Sequence, residues 1–154
     1  MPYAALLLRT GNFAGHLADL GVAPGDTVAI FLPNSVAWVE SLLAGARAGA
    51  ISVPISCEST ETEISYRLAD VGCTAVITTA ERADVVARFK ASAANLVTLI
   101  ATDRGTCSTA ILRYEDLVTA PARSAYKVPQ IVQTIAEIPR TGSGKSFAIS
   151  CANY

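Results

Sequence analysis

Apolar and polar positions alternate between two rhythms along the first two thirds of the chain. Leu6, Phe13, Leu17 and Leu20 recur at helical spacing and Gly21 follows as a stop, which predicts a helix over 4–20. Gly11 and Gly15 weaken it, each by about 1 kcal/mol relative to alanine. After the turn Ala23–Asp26, TVAIFL (Thr27–Leu32) is a short continuous apolar run, as expected of a strand buried on both faces. Pro33-Asn34-Ser35 breaks it, and Asn34 or Ser35 can cap the helix that follows. Val36, Val39, Leu42, Leu43 and Ala46 form the apolar stripe of that helix, and Gly49 ends it. AISVPI (Ala50–Ile55) reads as a second strand. Thr60 followed by Glu63 fits a capping box opening a helix to about Val71, with Gly72 as its stop. TAVITT (Thr74–Thr79) is a third strand, 81–93 a further helix, and LVTLIA (Leu96–Ala101) a fourth strand.

Strands alternating with helices of this length imply right-handed crossovers. The fold class is therefore α/β: a partial doubly wound parallel sheet of about four strands with helices on both faces. After Ala101 the rhythm fails. TDRGTCST is a loop, ILRYEDLV a short strand or helical turn, and TAPARSA has linker composition. QIVQTIAEI (Gln130–Ile138) reads as one more strand, so a short C-terminal strand-loop appendage closes the chain.

Composition narrows the partners. The 154 residues suit one domain with a short appendage. They are 51% hydrophobic and only 16% charged, against roughly 25% for an average globular chain. So sparse a charged surface favours self-association or a protein partner. Lys and Arg total 12 and Asp and Glu 13, with no basic stripe, so nucleic acid is not an expected partner. No apolar run reaches a membrane span, and MPYAALLLRTG lacks the basic start of a signal peptide. Cys57, Cys73, Cys107 and Cys151 form no C-x-x-C pair and His16 is the only histidine, so no metal site is expected. Reduced thiols in the cytoplasm are the simplest reading.

EIPRTGSGKS (Glu137–Ser146) carries the chain's most suggestive chemistry. Gly144-Lys145-Ser146 is the tail of a Walker A pattern, but the first glycine of that pattern would fall on Pro139, which offers no backbone N–H to a phosphate. The FAISCANY that follows is too short and β-branched for the helix a P-loop opens. Two readings remain. Thr141, Gly142, Ser143 and Gly144 form a turn that presents Lys145 to an anion, or the segment is a surface loop where Gly, Ser and Lys are all at home. Elsewhere, Ser35, Ser56 and Ser59 have no histidine placed to activate them. Glu58, Glu61 and Glu63 cluster where acidic groups favour a helix start. Trp38 and Tyr66 are expected in the core or at an interface.

Residues 1–118 resemble the first part of the large domain of adenylate-forming enzymes, which include acyl- and aryl-CoA synthetases, luciferases and the adenylation domains of peptide synthetases. Tyr3-Ala4-Ala5-Leu6 is similar to that family's first core motif, and Ala48-Gly49-Ala50-Ile51-Ser52-Val53-Pro54 to its second. ETEISYRLADVGCTAVIT continues in register. Tyr126-Lys127-Val128-Pro129 and EIPRTGSGK resemble the family's last core motif, from its small C-terminal domain. Ser146 and Phe147 depart from that motif's usual ending.

The resemblance implies three segments: 1–118 as the start of the large domain, 119–125 as a junction, and 126–154 as a remnant of the small domain. It places Lys145 in the catalytic role of the lysine that reaches the reacting carboxylate and phosphate, with Thr141, Gly142, Ser143 and Gly144 in the nucleotide-facing turn. ATP with Mg²⁺, CoA and a small carboxylic acid are implied by resemblance alone. The family's Ser/Thr/Gly-rich phosphate loop, its Tyr-Gly-x-Thr-Glu segment and its ribose-binding aspartate have no counterpart in these 154 residues. The expectation is a truncated ligase-like chain unable to adenylate an acid alone, acting as a binding or partner module and forming a homo-oligomer. The alternative is an enzyme of carboxylic-acid activation or a diverged biosynthetic reaction, its site completed by a partner or by self-assembly. In either case a ligand is expected beyond the carboxyl ends of the strands, near Ser56 or Thr78–Thr79.

Overall fold

The structure is a computed structural model and describes residues 1–90, 96, 98–103 and 112–123. Within them a parallel sheet is built from β1 (Thr27–Phe31), β2 (Ile51–Pro54), β3 (Ala75–Thr78), β4 (Thr98–Ala101) and β5 (Leu112–Arg113), in the order β2-β1-β3-β4-β5. Helices α1 (Tyr3–Asp19), α2 (Val36–Ala48), α3 (Glu61–Asp70), α4 (Ala80–Lys90) and α5 (Tyr114–Thr119) complete it. The α/β class and the doubly wound parallel sheet are as the sequence predicts.

The pleat sorts the core into two layers, because successive strand residues point to opposite faces. Val28, Ile30, Ala75, Ile77 and Ile100 pack with Phe13, Leu17, Tyr114 and Val118 of α1 and α5 and with Ala44 of α2. Ala29, Phe31, Val76 and Leu99 pack with Ile64, Leu68, Ala83 and Val86 of α3 and α4 on the other side. Cys73 lies in this second layer as a small apolar residue, and burial pushes its thiol up to about 11. β2 is an edge strand, which is why Pro54 is tolerated in it.

The predicted caps form. Ser35 Oγ accepts from the Trp38 amide, and Gly49 ends α2 in the left-handed conformation at φ 76°. Thr60 and Glu63 make the reciprocal capping box of α3, and the Thr60 N–H and hydroxyl hold the Glu63 carboxyl below its usual range.

One expectation is sharpened and one is corrected. The sheet has five strands rather than four, because ILRYEDLV supplies both alternatives: Leu112–Arg113 extends the parallel ladder beside β4 and Tyr114–Thr119 turns into α5. The buried face of α2 is not the stripe of Val36, Val39, Leu43 and Ala46, which are exposed; it is Glu40, Ser41, Ala44 and Gly45. Small residues win that face because the helix sits close to β2, where a Cβ on Gly45 would overlap Ser52 Oγ. Of the two aromatics expected in the core or at an interface, Trp38 packs against the first core layer, and Tyr66 is exposed on α3, outside both layers. The strand predicted at Gln130–Ile138 and the C-terminal appendage lie outside the described residues.

Candidate functional site

In a sheet of order β2-β1-β3-β4-β5 the winding reverses between β1 and β3, the switch point beyond whose strand ends open parallel sheets generally bind their ligands. Leu32-Pro33-Asn34-Ser35 leaves β1 and Thr78-Thr79 leaves β3 into α4. Thr79 carbonyl oxygen accepts from the Arg82 and Ala83 amides at 3.1 and 3.0 Å, so Thr79 is the cap residue just before α4. Its hydroxyl makes none of the usual capping bonds. Thr78 Oγ1 and Thr79 Oγ1 are both buried with no hydrogen-bond partner among the described residues. Buried hydroxyls of this kind are uncommon, since each forfeits solvation without replacing it. The Arg82 guanidinium lies over the Phe31 ring, 5.1 Å from its centroid, and Phe31 is the register partner of Thr78.

The amino end of α4 already has its anion. Asp103, just past β4, accepts from the Ala80 amide through Oδ1. A carboxylate there satisfies an orphan N–H and neutralises the positive end of the helix dipole. The β1/β3 switch point therefore holds two buried, unpartnered hydroxyls and a stacked guanidinium, and its helix end is not a vacant phosphate seat.

A second polar cluster ties together α1, α2 and α5. Arg9 Nε donates to Glu40 Oε1 at 2.6 Å and Nη1 donates to Glu115 Oε1 at 2.8 Å. The Tyr114 hydroxyl donates to Glu40 Oε2, and Glu40 is completely buried. Hydrogen bonds to Glu115 and then Glu40 raise Arg9 above its already high range, so it stays cationic. Arg9 in turn lowers Glu115, while burial, reinforced by the bond to Glu40, raises Tyr114. Every charge points at a partner within the cluster, and a proton on Tyr114 is held more tightly than in water. The cluster braces three helices and has no group poised for acid–base chemistry. Sequence reasoning passed over it, although one glutamate inside VAWVESLLAGA and one arginine after LLL are charges that a buried helix face can hold only as a pair.

Lys145, Thr141, Gly142, Ser143 and Gly144 lie outside the described residues. Of the others, Ser35 is the cap of α2, and Ser56 Oγ accepts from the Glu58 amide at 3.3 Å. Glu61 pairs with Arg88 at 2.8 Å and Glu63 caps α3, so these two members of the acidic cluster are engaged in an ion pair and a helix cap. His16 sits half-buried on α1 with Nε2 3.1 Å from the Ala120 carbonyl oxygen. Among the described residues no three His, Cys, Asp or Glu are grouped to hold a metal ion, and no helix is long and apolar enough to cross a membrane.

Comparison with known proteins gives this geometry a lineage. The chain is 40% identical over 91 residues to a feruloyl-CoA synthase of Amycolatopsis, a match covering 59% of this chain and 18% of that enzyme. It is 37% identical over 93 residues to the long-chain-fatty-acid–CoA ligase FadD13 of Mycobacterium tuberculosis, covering 60% and 18%. A solved structure titled as a putative long-chain-fatty-acid CoA ligase from Rhodopseudomonas palustris superposes with a TM-score of 0.71 at 26% identity, covering 92% of this chain and 35% of that one. The chain thus spans less than a fifth of the length of these curated relatives. The model of the family described as AMP-binding enzyme matches residues 1–138, and the chain belongs to that adenylate-forming, acyl- and aryl-CoA-synthetase-like family.

Proposed function

We propose that this chain is a ligase-like module that does not adenylate a carboxylic acid by itself and serves as a binding or partner module. The observation that carries this reading is the group of side chains at the β1/β3 switch point. Its Thr78 and Thr79 hydroxyls and the Arg82 guanidinium suit a small carboxylate or a similar polar group, whereas Asp103 already occupies the α4 end that would draw a nucleotide phosphate. Acyl-adenylate formation requires ATP, a divalent metal and an acid held in line, with the developing charge stabilised on several sides. Mg²⁺ does not fit the described residues: the carboxylate at the α4 end is committed to a backbone amide, and Glu61 and Glu63 are bound in a pair and a cap. In the sequence, the segment similar to the family's last core motif follows its opening segments after the short stretch 119–125, with the phosphate-loop and ribose-binding segments absent between them. Lys145 supplies one charge and no pocket.

Carboxylic-acid-dependent ATP–pyrophosphate exchange tests this. The purified chain is expected to show no exchange above background with benzoate, ferulate or octanoate. Exchange that appears with one acid and disappears in Lys145→Ala would overturn the reading. It would favour the second reading, that of an acid-activating enzyme whose site is completed by a partner or by self-assembly. The observation in favour of that alternative is the likeness of EIPRTGSGK to the family's lysine motif.

A further inference from the structure

We propose that the outer face of α1 and α2 is a contact surface between two copies of this chain. The two helix layers of the molecule differ in what they show to solvent. On the α3/α4 side, Glu61 and Arg88 form an exposed ion pair, as expected of a solvated face. On the α1/α2 side, Tyr3 is 91% exposed, Leu7 62%, Leu8 65%, Val36 58%, Val39 44% and Leu43 38%. Tyr3 and Leu7 are one helical turn apart, and Val36, Val39 and Leu43 follow at i, i+3 and i+7, so each set occupies one face of its helix. Tyr3, Leu7 and Leu43 line a groove of about 350 Å³ together with Leu6, Thr10 and Arg47.

This face is almost free of charge. Glu40 is the one Asp, Glu, Lys or Arg within positions 1–8 and 36–43, and it is fully buried against Arg9. Arg47, at the end of the groove, donates to the Leu7 carbonyl oxygen and Thr10 Oγ1 of α1. Apart from Arg47, which is held by α1, the face presents no charge for an anionic or cationic partner to match. A second copy matches it, because it presents the same apolar face, and two-fold pairing sets like patches against each other. The exposed fractions correspond to roughly 600 Å² per copy, about 1,200 Å² in a symmetric pair, at the lower bound of specific interfaces and as large as the largest patch a monomer usually leaves open. The low overall charge, 16% of residues, opposes such pairing little.

Sedimentation velocity and light scattering on the full chain, from about 1 to 100 μM, test the proposal. The expected mass rises with concentration to twice 16.0 kDa. Leu7→Glu together with Val39→Glu, both at exposed helix positions, is expected to weaken association at least tenfold while far-UV circular dichroism is unchanged. Tyr66→Glu on α3 should leave association as it was. If the glutamates unfold the chain, Leu7→Ser with Val39→Ser asks the same question by removing apolar area alone. A monomer throughout the range overturns the proposal, as does a dimer indifferent to both pairs of substitutions. Neither result bears on the exchange assay, so the two readings fail separately.

Discussion

At the scale of single residues, stability turns on one buried carboxylate. Glu40 accepts from Arg9 and Tyr114 with no solvent contact, so removing it leaves the phenol unpaired and the guanidinium with the exposed Glu115 as its one carboxylate. Breaking a buried pair from one side costs about 3–5 kcal/mol, more than the pair itself contributes, because the remaining charge keeps its desolvation penalty. Because Arg9 keeps Glu115, Glu40→Ala is expected to lower the unfolding free energy by an amount at the lower end of that range, about 3 kcal/mol, in urea titrations, and Tyr114→Phe by about 1–3 kcal/mol. Glu115 behaves differently, since it is largely exposed and Arg9 holds it below the usual carboxylate range. A carboxyl lowered on folding contributes stability that is complete above its unfolded value, near 4.5, and is lost as pH falls through the folded value. Arg9 stays charged throughout. Urea midpoints should therefore drop between about pH 5 and pH 3, and Glu115→Gln should flatten that slope by less than about 1 kcal/mol.

At the scale of elements, legibility followed how local the deciding physics was. The caps at Ser35, Gly49 and Thr60–Glu63 were readable because a cap is settled within four residues. The strands β1, β3 and β4 were readable because each is a continuous apolar run between breakers. The buried face of α2 was not readable, because its choice rests on contacts distant in sequence: Gly45 against Ser52 and Glu40 against Arg9 and Tyr114. Hydrophobicity alone picked Val36, Val39 and Leu43, which face solvent. β5 was left open for a similar reason, since two residues become a strand only when β4 is there to pair with them. At the candidate site the sequence pointed to Thr78–Thr79 through the general rule for strand ends, while Asp103, arriving from 23 residues downstream, carried no local signal. The capping box gives a clean test of the local kind. Thr60→Ala removes the side chain that accepts from the Glu63 amide and is expected to cost about 1 kcal/mol, whereas Thr60→Ser should restore most of it, both read from thermal unfolding.

At the scale of the whole molecule, the question is whether two helix layers on one sheet unfold together. Each core strand serves both layers: Ile77 packs with α1 and α5 while its neighbours Val76 and Thr78 face the α3/α4 side. A strand cannot leave one layer and remain in the other, so the sheet couples them mechanically. Small domains held this way usually unfold in a single transition. Trp38, the chain's one tryptophan, packs against the α1/α2/α5 layer, so its fluorescence reports that layer alone. Leu68 is buried on the far side, in α3. Leu68→Ala should cost about 2–5 kcal/mol through lost burial and the cavity left behind. If the layers are coupled, the Trp38 midpoint shifts by the same amount as the far-UV midpoint, with the denaturant slope unchanged. A shift in circular dichroism that leaves the Trp38 transition in place would show the α3/α4 layer melting by itself, and with it the helix that follows Thr78 and Thr79 at the switch point.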